Sequence, residues 1–402
     1  MTARRSTTAS QSPPARRVRA RTRLTRPLTL GVAVLALSGC SLLGSSDDEP
    51  ADGANSSTGE GDAAASTADG AASSGGNGEE VVLLTHDSFS LPQEVLDQFT
   101  EETGYTLTVQ PSGDAGSMTN QLALTKDSPL GDVVYGIDNT FASRAVQEGV
   151  LAAYTPTDPP PGLSTHELAG DPAAYLTPID YGDVCVNVDD VWFDEQGIEP
   201  PRTLQDLADP EYAGLLVAPG ASTSSPGLAF LLATIAEFGQ GGEGDGGWQD
   251  YWKELTANDV KITAGWEDAY LVDFTAGGGG GDRPLVVSYA SSPPFTIPEG
   301  GDEPTTSALM DTCFSQVEYA GVINGASNQP GAQALVDFML SDPVQEALPE
   351  SMYVFPVSEQ VELPQDWAKW ATVAQDPYTI PADEIEANRL EWVTQWADIA
   401  TG

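Results

Sequence analysis

Residues 80–110 read EVVLLTHDSFSLPQEVLDQFTEETGYTLTVQ, and this stretch decides the fold class. It opens with a short apolar run that ends in polar residues, which is typical of a buried parallel strand. A helix is predicted next, because Pro92 stands near its start and Gly104 at its end. A second strand follows at YTLTVQ. The order of strand, helix and strand indicates an α/β protein.

The same alternation continues along the chain. A helical segment at 118–125 leads into GDVVYGIDNT at 131–140, a third strand. This β-α-β-α-β order implies right-handed crossovers and a doubly wound sheet. A strand, a polar loop and a helix are predicted over 214–239, and the segments 261–278 and 283–295 repeat this theme. Single amphipathic helices are predicted over 329–348 and 382–400.

Polar loops recur after the predicted strands in both halves of the chain. Ligands of doubly wound sheets bind beyond the carboxyl ends of the strands, so we expect two lobes with a cleft between them. The glycine-rich runs GQGGEGDGG (239–247) and GGGGGD (277–282) lack the Lys and Ser/Thr of a phosphate loop. Both are predicted to be surface loops.

The first 79 residues are predicted to be an export signal and a tether. Residues 1–27 hold eight Arg and no acidic residue, and an apolar run too short to span a bilayer follows. Leu37–Cys40 match the bacterial lipobox, so we expect a lipoprotein signal peptide over 1–39 and lipidation of Cys40. Residues 40–79, rich in Ser, Gly, Ala and Asp, should form a disordered tether. The export route, Sec or twin-arginine, stays open.

Charge and cysteine content narrow the choice of partners. The chain carries 16 Lys and Arg against 60 Asp and Glu, a net charge of −44. Such a protein repels nucleic acid, so no nucleic-acid partner is expected. Outside the cytoplasm, Cys185 and Cys313 are predicted to form a disulfide rather than two buried thiols. A catalytic Cys is disfavoured, because the chain has only two His to activate one.

Two serine clusters allow both a structural and a functional interpretation. Ser224 and Ser225 precede Pro226 at a helix start, where they either cap the helix or face an anion or a carbonyl oxygen. In SYASSPPF, Ser291 and Ser292 lie in a bend that forms either a plain turn or a hydrogen-bonding cluster.

An aromatic pair occurs in TAGWEDAY, residues 263–270. Trp266 and Tyr270 are four residues apart, a spacing that suits core packing. If Trp266 faces the cleft instead, a cation can stack on its ring. Asp114, in the glycine-rich loop PSGDAGS, can accept a hydrogen bond from an amino group.

No catalytic or metal constellation emerges from the sequence. The serines lack a G-x-S-x-G setting and a spaced His. The two His and the absence of a Cys cluster leave no zinc pattern, and the Asp-rich loops lack EF-hand spacing. Aromatic faces, hydroxyl groups and a few carboxylates indicate a binding cleft, so we expect no enzyme activity and no metal.

Seven stretches carry a resemblance to a known family. THDSF, GDVVYGIDN, PIDYGD, STSSPGL, TAGWEDAY, SYASSP and YVFPV occur in this order. Over residues 81–395 the chain resembles the thiamine-binding proteins of ABC importers. The resemblance implies a type II periplasmic-binding-protein fold, with two doubly wound lobes joined by hinge strands. Lobe 1 would span 80–180 with 315–352, and lobe 2 would span 181–314 with 353–402.

The resemblance also implies a site. The ligand contacts of the family fall on Asp114, Ala115, Ser224, Ser225, Trp266, Tyr289, Ala290, Ser291 and Ser292. Candidate ligand-lining residues are His86, Phe295 and Tyr353. The chain would cross between lobes at Ile179–Asp183, Phe314–Val317 and Tyr353–Pro356, and Cys185 and Cys313 beside the first two crossings would bond to each other.

The function that follows is an extracytoplasmic, lipid-anchored receptor. It would be a monomer without a cofactor that binds thiamine or a thiamine phosphate and delivers it to an ABC permease. A receptor of the same fold for a polyamine or ferric ion is the first alternative. A secreted serine hydrolase that uses Ser224, Ser225 or Ser291 is the second.

Overall fold

The computed structural model describes residues 79–241 and 246–402. The predicted signal peptide (1–39), the lipidation site Cys40 and all of the predicted tether except Glu79 lie outside these residues. Within the described ranges, no helix is both long and apolar enough to cross a membrane. The elements below all belong to one compact unit.

The described residues form one mixed sheet of ten strands. The strands are β1 (Glu80–Thr85), β2 (Thr106–Pro111), β3 (Val133–Asp138), β4 (Leu151–Ala152), β5 (Thr177–Asp189), β6 (Leu216–Pro219), β7 (Lys261–Thr263), β8 (Leu285–Tyr289), β9 (Thr306–Ile323) and β10 (Phe355–Pro356). The order is β2-β1-β3-β9-β5-β8-β6-β7, with β4 on β9 and β10 on β5. β2-β1-β3 and β8-β6-β7 are both parallel, as the alternation predicts.

Ten α-helices accompany the sheet in the described ranges. They are α1 (Gln93–Thr103), α2 (Ala115–Leu124), α3 (Ala142–Gln147), α4 (Asp190–Gln196), α5 (Ser225–Phe238), α6 (Trp248–Ala257), α7 (Gln329–Met339), α8 (Asp342–Ser351), α9 (Gln365–Trp370) and α10 (Ala382–Ala400). The sequence signals set several ends: α1 follows Pro92 and stops at Gly104, whose φ of 78° is the left-handed cap glycine allows.

β5 and β9 are long antiparallel strands at the centre of the sheet. β5 contains the predicted crossing Ile179–Asp183, and β9 contains Phe314–Val317. The third predicted crossing, Tyr353–Pro356, ends in β10, which pairs with β5. A disulfide joins Cys185 of β5 to Cys313 of β9. The strands expected to act as hinges therefore lie side by side, while the lobe boundaries themselves stay a prediction.

Hydrophobic cores lie on both halves of the sheet. Phe99 of α1 packs on Phe338 of α7, with ring centroids 5.5 Å apart. In the other half, Trp252 of α6 meets Trp396 of α10 edge to face at 5.6 Å. Burying each of these side chains contributes on the order of 3 kcal/mol. These packed helices hold the strands of both halves in place and so fix the positions of the loops at the strand ends.

The prediction of one helix over 329–348 is wrong. The chain instead forms α7 and α8, with a break at Leu340–Ser341. Ser341 has extended backbone angles, φ −71° and ψ 155°, and Pro343 lies in the first turn of α8. Pro343 has no N–H to continue the helical ladder and its ring disfavours a helix through the preceding residues.

The run GGGGGD supports a neighbouring helix as well as forming a loop. A Cβ atom added at Gly277 would overlap the carbonyl group of Tyr270. Gly279 and Gly281 approach the same segment, Asp268–Asp273, which is a turn of π-helix. Side chains at these positions would displace that segment. The prediction of a surface loop did not include this supporting role of the glycines. Of the other glycine-rich run, residues 242–245 lie outside the described ranges.

Candidate functional site

A cavity of about 270 Å³ lies beyond the carboxyl ends of the strands. His86 follows β1, Asp114 follows β2, Ser225 follows β6 and Trp266 follows β7, and all four line it. This is the place where doubly wound sheets bind ligands. The volume is slightly below the roughly 300–1,000 Å³ of pockets for drug-sized molecules, so the cavity suits a small ligand.

One wall of the cavity is aromatic. Trp266 is half-buried and stacks on Tyr270, with ring centroids 5.0 Å apart and planes 18° apart. Its indole N–H donates to the Ser288 hydroxyl at 2.9 Å, which fixes the rotation of the ring. Phe295 meets Tyr270 edge to face at 5.8 Å. An indole held in this way offers a π surface that attracts a cation.

The floor of the cavity is acidic. Glu318, in the middle of β9, is only 7% exposed. The Gln316 amide donates to it at 3.4 Å. The Tyr135 hydroxyl lies 3.5 Å away but makes its short hydrogen bond to Asp180. His86 Nε2 is 3.7 Å from Glu318 Oε2. Since strong hydrogen bonds are about 2.7–3.2 Å long, the Glu318 carboxylate keeps acceptor capacity.

Asp114 also lines the cavity, but backbone donors occupy its carboxylate. Oδ1 accepts from the N–H of Ala115 at 2.7 Å and of Ser225 at 3.2 Å. Oδ2 accepts from the N–H of Trp266 at 2.9 Å. The Ser224 hydroxyl is a further donor. A carboxylate has about four lone-pair sites, so these donors fill it.

We call Asp114 and these four donors the clasp, because they connect the two parallel halves of the sheet. Asp114 caps α2 beside the first half, while its partners Ser225 and Trp266 follow strands of the second half. Ser117 N–H also donates to the Thr223 carbonyl at 3.0 Å. Burial raises the pKa of Asp114, and the hydrogen bonds it accepts oppose that rise. The two sides of the cleft are in direct contact here.

His86 lies beside Glu318 and near two further carboxylates, those of Asp114 and Asp87. Its Nδ1 is 2.9 Å from the Ser88 hydroxyl, while Nε2 is buried without a hydrogen-bond partner among the described residues. Burial works to lower the pKa of His86, but Glu318, and then Asp114 and Asp87, outweigh burial and raise it. The acidic neighbours therefore favour the imidazolium form of His86.

Most of the residues expected at the site line the cavity. They are Asp114, Ala115, Ser225, Trp266, Tyr289 and Ser292, with the candidate lining residues His86, Phe295 and Tyr353. Ser224, Ala290 and Ser291 are buried and lie outside the lining. Their role in ligand binding stays a prediction, and which of them reach the cavity follows from tertiary packing.

The three remaining residues support the site from behind. Ser224 accepts from the N–H of Gly227 at 3.4 Å and so caps α5. Ala290 packs beside the disulfide. Ser291 donates its hydroxyl to the Tyr353 carbonyl at 2.6 Å. The structural interpretation of each serine cluster thus applies to Ser224 and Ser291, while Ser225 and Ser292 reach the cavity.

Tyr353 occupies an uncommon backbone conformation. Its φ is 57°, in the left-handed region that side-chain-bearing residues rarely adopt. The Ser291 hydroxyl holds its carbonyl, and Phe295 meets its ring edge to face at 5.4 Å. Local strain of this kind, about 1–3 kcal/mol, is often found at ligand sites.

Several lining residues were not anticipated. They are Ser88, Ser90, Pro226, Glu267, Leu271, Glu318, Ser351, Met352 and Val354. Glu318 is the most consequential of them. A single acidic residue within the otherwise apolar strand VEYAGVI, beside a predicted crossing, is the signal that could have identified it.

The cavity favours positive charge. Among the described residues, its lining includes Asp114, Glu267 and Glu318 but no Lys or Arg. Behind the floor, burial raises the pKa of Asp138 to about 6. Burial and the neighbouring Glu318 raise that of Asp180. In the part of the chain that the structure describes, no three His, Cys, Asp or Glu side chains converge as metal ligands would.

Comparison with known proteins identifies the family. Residues 94–375 match the family described as bacterial extracellular solute-binding protein, and the chain belongs to that family. Its architecture is the type II periplasmic-binding-protein fold: two parallel half-sheets joined by long antiparallel strands, with a cavity at the strand ends. The fold expected from the resemblance is thereby confirmed.

Particular relatives are similar over most of their length. The thiamine-binding periplasmic protein of Escherichia coli (strain K12) is 28% identical over 326 residues, 79% of this chain and 92% of the relative. That of Brucella abortus biovar 1 (strain 9-941) is 26% identical over 330 residues, 79% and 91% of the two chains. A solved structure titled periplasmic thiamin binding protein superposes with a TM-score of 0.68 at 25% identity, covering 80% of this chain and 96% of the other.

Proposed function

We propose that this protein captures thiamine, or a thiamine phosphate, outside the cytoplasm and delivers it to an ABC permease. In this proposal it is a monomer, held at the outer face of the membrane through lipidated Cys40. It carries no cofactor and catalyses no reaction. The observation that carries the proposal is the half-buried ring of Trp266 in a cavity whose charged lining is acidic.

The chemistry of thiamine matches this cavity. Thiamine joins a permanently cationic thiazolium ring to an aminopyrimidine ring. Stacking a cation on Trp266 gains about 0.5–2 kcal/mol. Carboxylates on the other side of the cavity stabilise the same charge, and the names of the relatives support this choice of ligand.

The start of α5 bears on the choice between thiamine and its phosphates. Backbone N–H groups at a helix start bind phosphate when they are free. Here the N–H of Ser225 is bonded to Asp114, that of Gly227 to Ser224, and Pro226 has none. We therefore expect thiamine to bind more tightly than thiamine monophosphate or diphosphate. Calorimetric titrations with the three compounds check this, and equal or tighter binding of the diphosphate would contradict it.

Calorimetry with a matched pair of Trp variants tests the proposal. The change Trp266→Ala removes the cation–π contact and apolar area, about 2–3 kcal/mol or roughly 30- to 150-fold in the dissociation constant. Trp192→Ala, which removes a half-buried Trp outside the cavity, should leave binding unchanged. No binding of thiamine by the wild type, or equal binding by both variants, would contradict the proposal.

One contact favours a second candidate function, a serine hydrolase. The serines selected from the sequence do not contact a His, but Ser88 Oγ is 2.9 Å from His86 Nδ1, and Glu318 lies on the other side of the ring. The 3.7 Å between His86 and Glu318 exceeds a hydrogen bond. We expect a fluorophosphonate probe to form no adduct, whereas labelling of Ser88 would favour the hydrolase.

A further inference from the structure

Three carboxylates line the cavity, those of Asp114, Glu267 and Glu318. Glu267 is exposed to solvent, and of the other two only Glu318 has room for a ligand. Asp114 accepts from three backbone N–H groups at 2.7–3.2 Å. The contacts of Glu318 with Gln316 and Tyr135 are 3.4 and 3.5 Å long. A buried carboxylate without close donors is costly, so Glu318 gains most from a donor that enters the cavity.

The neighbour of Glu318 supplies the complementary group. His86 Nε2 is nine-tenths buried, lines the same cavity and has no hydrogen-bond partner among the described residues. We assign the Ser88 hydroxyl as the donor to Nδ1, which places the proton of the neutral ring on Nε2. Glu318 and His86 then present an acceptor and a donor whose atoms are 3.7 Å apart.

We propose that Glu318 and His86 together recognise the amino-substituted edge of the ligand's pyrimidine ring. This inference rests on the proposed function. The exocyclic amine donates to Glu318, and the adjacent ring nitrogen accepts from His86 Nε2–H. Trp266 holds the cationic ring of the same ligand, while Asp114 serves the clasp. Glu318 is therefore the residue that determines which heterocycle is accepted.

Two thiamine analogues separate these contacts. Oxythiamine has an oxo group in place of the amine and a proton on the adjacent ring nitrogen, so its edge presents an acceptor where Glu318 requires a donor and a donor where His86 Nε2–H requires an acceptor. Pyrithiamine keeps the aminopyrimidine and replaces the thiazolium with another cationic ring. We expect the wild type to bind pyrithiamine within about tenfold of thiamine and to bind oxythiamine at least about 100-fold more weakly.

The specificity variant is Glu318→Gln, because its amide can donate to the oxo group. We expect this variant to reduce the preference for thiamine over oxythiamine to about tenfold or less. The matched control is Asp183→Asn, the same chemical change at another buried carboxylate of the hinge strands. Asp183 is bonded to the N–H of Ala374 and lies outside the cavity, so this control should keep the wild-type preference.

The outcomes distinguish failure of the inference from failure of the proposed function. If the wild type binds neither thiamine nor pyrithiamine, the proposed function is wrong and the inference falls with it. If the wild type binds thiamine but binds oxythiamine equally well, only the inference is overturned. The inference is also overturned if Glu318→Gln keeps the wild-type preference. Should Glu318→Gln fail to fold, the wild-type preference decides the question, because equal binding of thiamine and oxythiamine by the wild type overturns the inference.

Discussion

The clasp around Asp114 and the floor around Glu318 face the same cavity, but they are built differently. The clasp is a carboxylate filled by donors from neighbouring loops, so it fixes the chain and joins the two halves of the sheet. The floor is a carboxylate on a central strand, with the Gln316 and Tyr135 donors 3.4 and 3.5 Å away and the Asp180 carboxyl beside it. A carboxylate that lines the cavity is therefore not sufficient for ligand binding, because it must also have free hydrogen-bonding capacity.

The largest effect is expected from the disulfide that joins the two strands of the floor. Cys185 and Cys313 are 128 residues apart, and cross-linking a loop of that size stabilises the fold by about 4–5 kcal/mol. We expect the variant Cys185→Ala with Cys313→Ala to lose that amount in urea-induced unfolding. Reduced wild type serves as its control and should unfold like the variant. A loss below about 1 kcal/mol would show that the hinge strands do not need the bridge.

The next prediction separates the clasp from the floor directly. Asp114→Asn puts an amide where backbone N–H groups need an acceptor, so the free energy of unfolding should fall by about 2–4 kcal/mol. Its preference for thiamine over oxythiamine should not change. Glu318→Gln should behave in the opposite way, keeping stability and losing the preference. The contrast between the two regions fails if both variants change the same quantity.

The glycine support of the aromatic wall should have a moderate effect. Gly277→Ala would push the segment Asp268–Asp273 and displace Tyr270, on which Trp266 stacks. We expect thiamine to bind about tenfold more weakly, roughly 1.4 kcal/mol.

Gly278→Ala is the control for this change, because it lies in the same loop with nothing within 4 Å of an added Cβ atom. Its φ of 90° makes the substitution strained, so a loss of stability is expected without a loss of affinity. If the two variants bind thiamine with equal affinity, the glycine run does not support the aromatic wall of the site.

The smallest effect is expected from pH. The pKa of His86 is raised above its ordinary value, so its ionised form stabilises the unliganded fold below about pH 6.5. That contribution is lost as pH rises through the raised pKa. A cationic ligand should bind more tightly over the same range, by about threefold, because the imidazolium no longer competes for Glu318.

Calorimetric titrations between pH 6 and 8.5 measure this change. In His86→Gln the rise in affinity above pH 6.5 should disappear. A wild-type affinity that falls as pH rises would show that the imidazolium helps to hold the ligand.

The alternation of strands and helices could be predicted from the sequence, because strand ends and helix caps leave local signals. Pro92 and Gly104 bound α1, and Ser224 and Pro226 begin α5, as read from the chain. The break between α7 and α8 was missed, because the apolar periodicity outweighed the signal of Pro343.

The site was predictable to the extent that it lies in loops with distinctive residues. The spacing of Trp266 and Tyr270 left core packing and a cleft position open, and the family resemblance indicated a ligand contact at Trp266, which lines the cavity. Glu318 was not, because it lies within a strand and its position depends on the pairing of β9 with β5. That Ser225 lines the cavity while Ser291 lies outside it and donates to the Tyr353 carbonyl depends equally on tertiary packing.

A crystal structure with bound thiamine tests the central claim most directly. We expect the thiazolium ring to lie against Trp266 and the exocyclic amine to lie about 3 Å from the Glu318 carboxylate, with the hydrogen bonds of Asp114 to Ser225 and Trp266 intact. An amine bound to Asp114 in place of those backbone groups, or a ligand that leaves Glu318 without a partner, would contradict it.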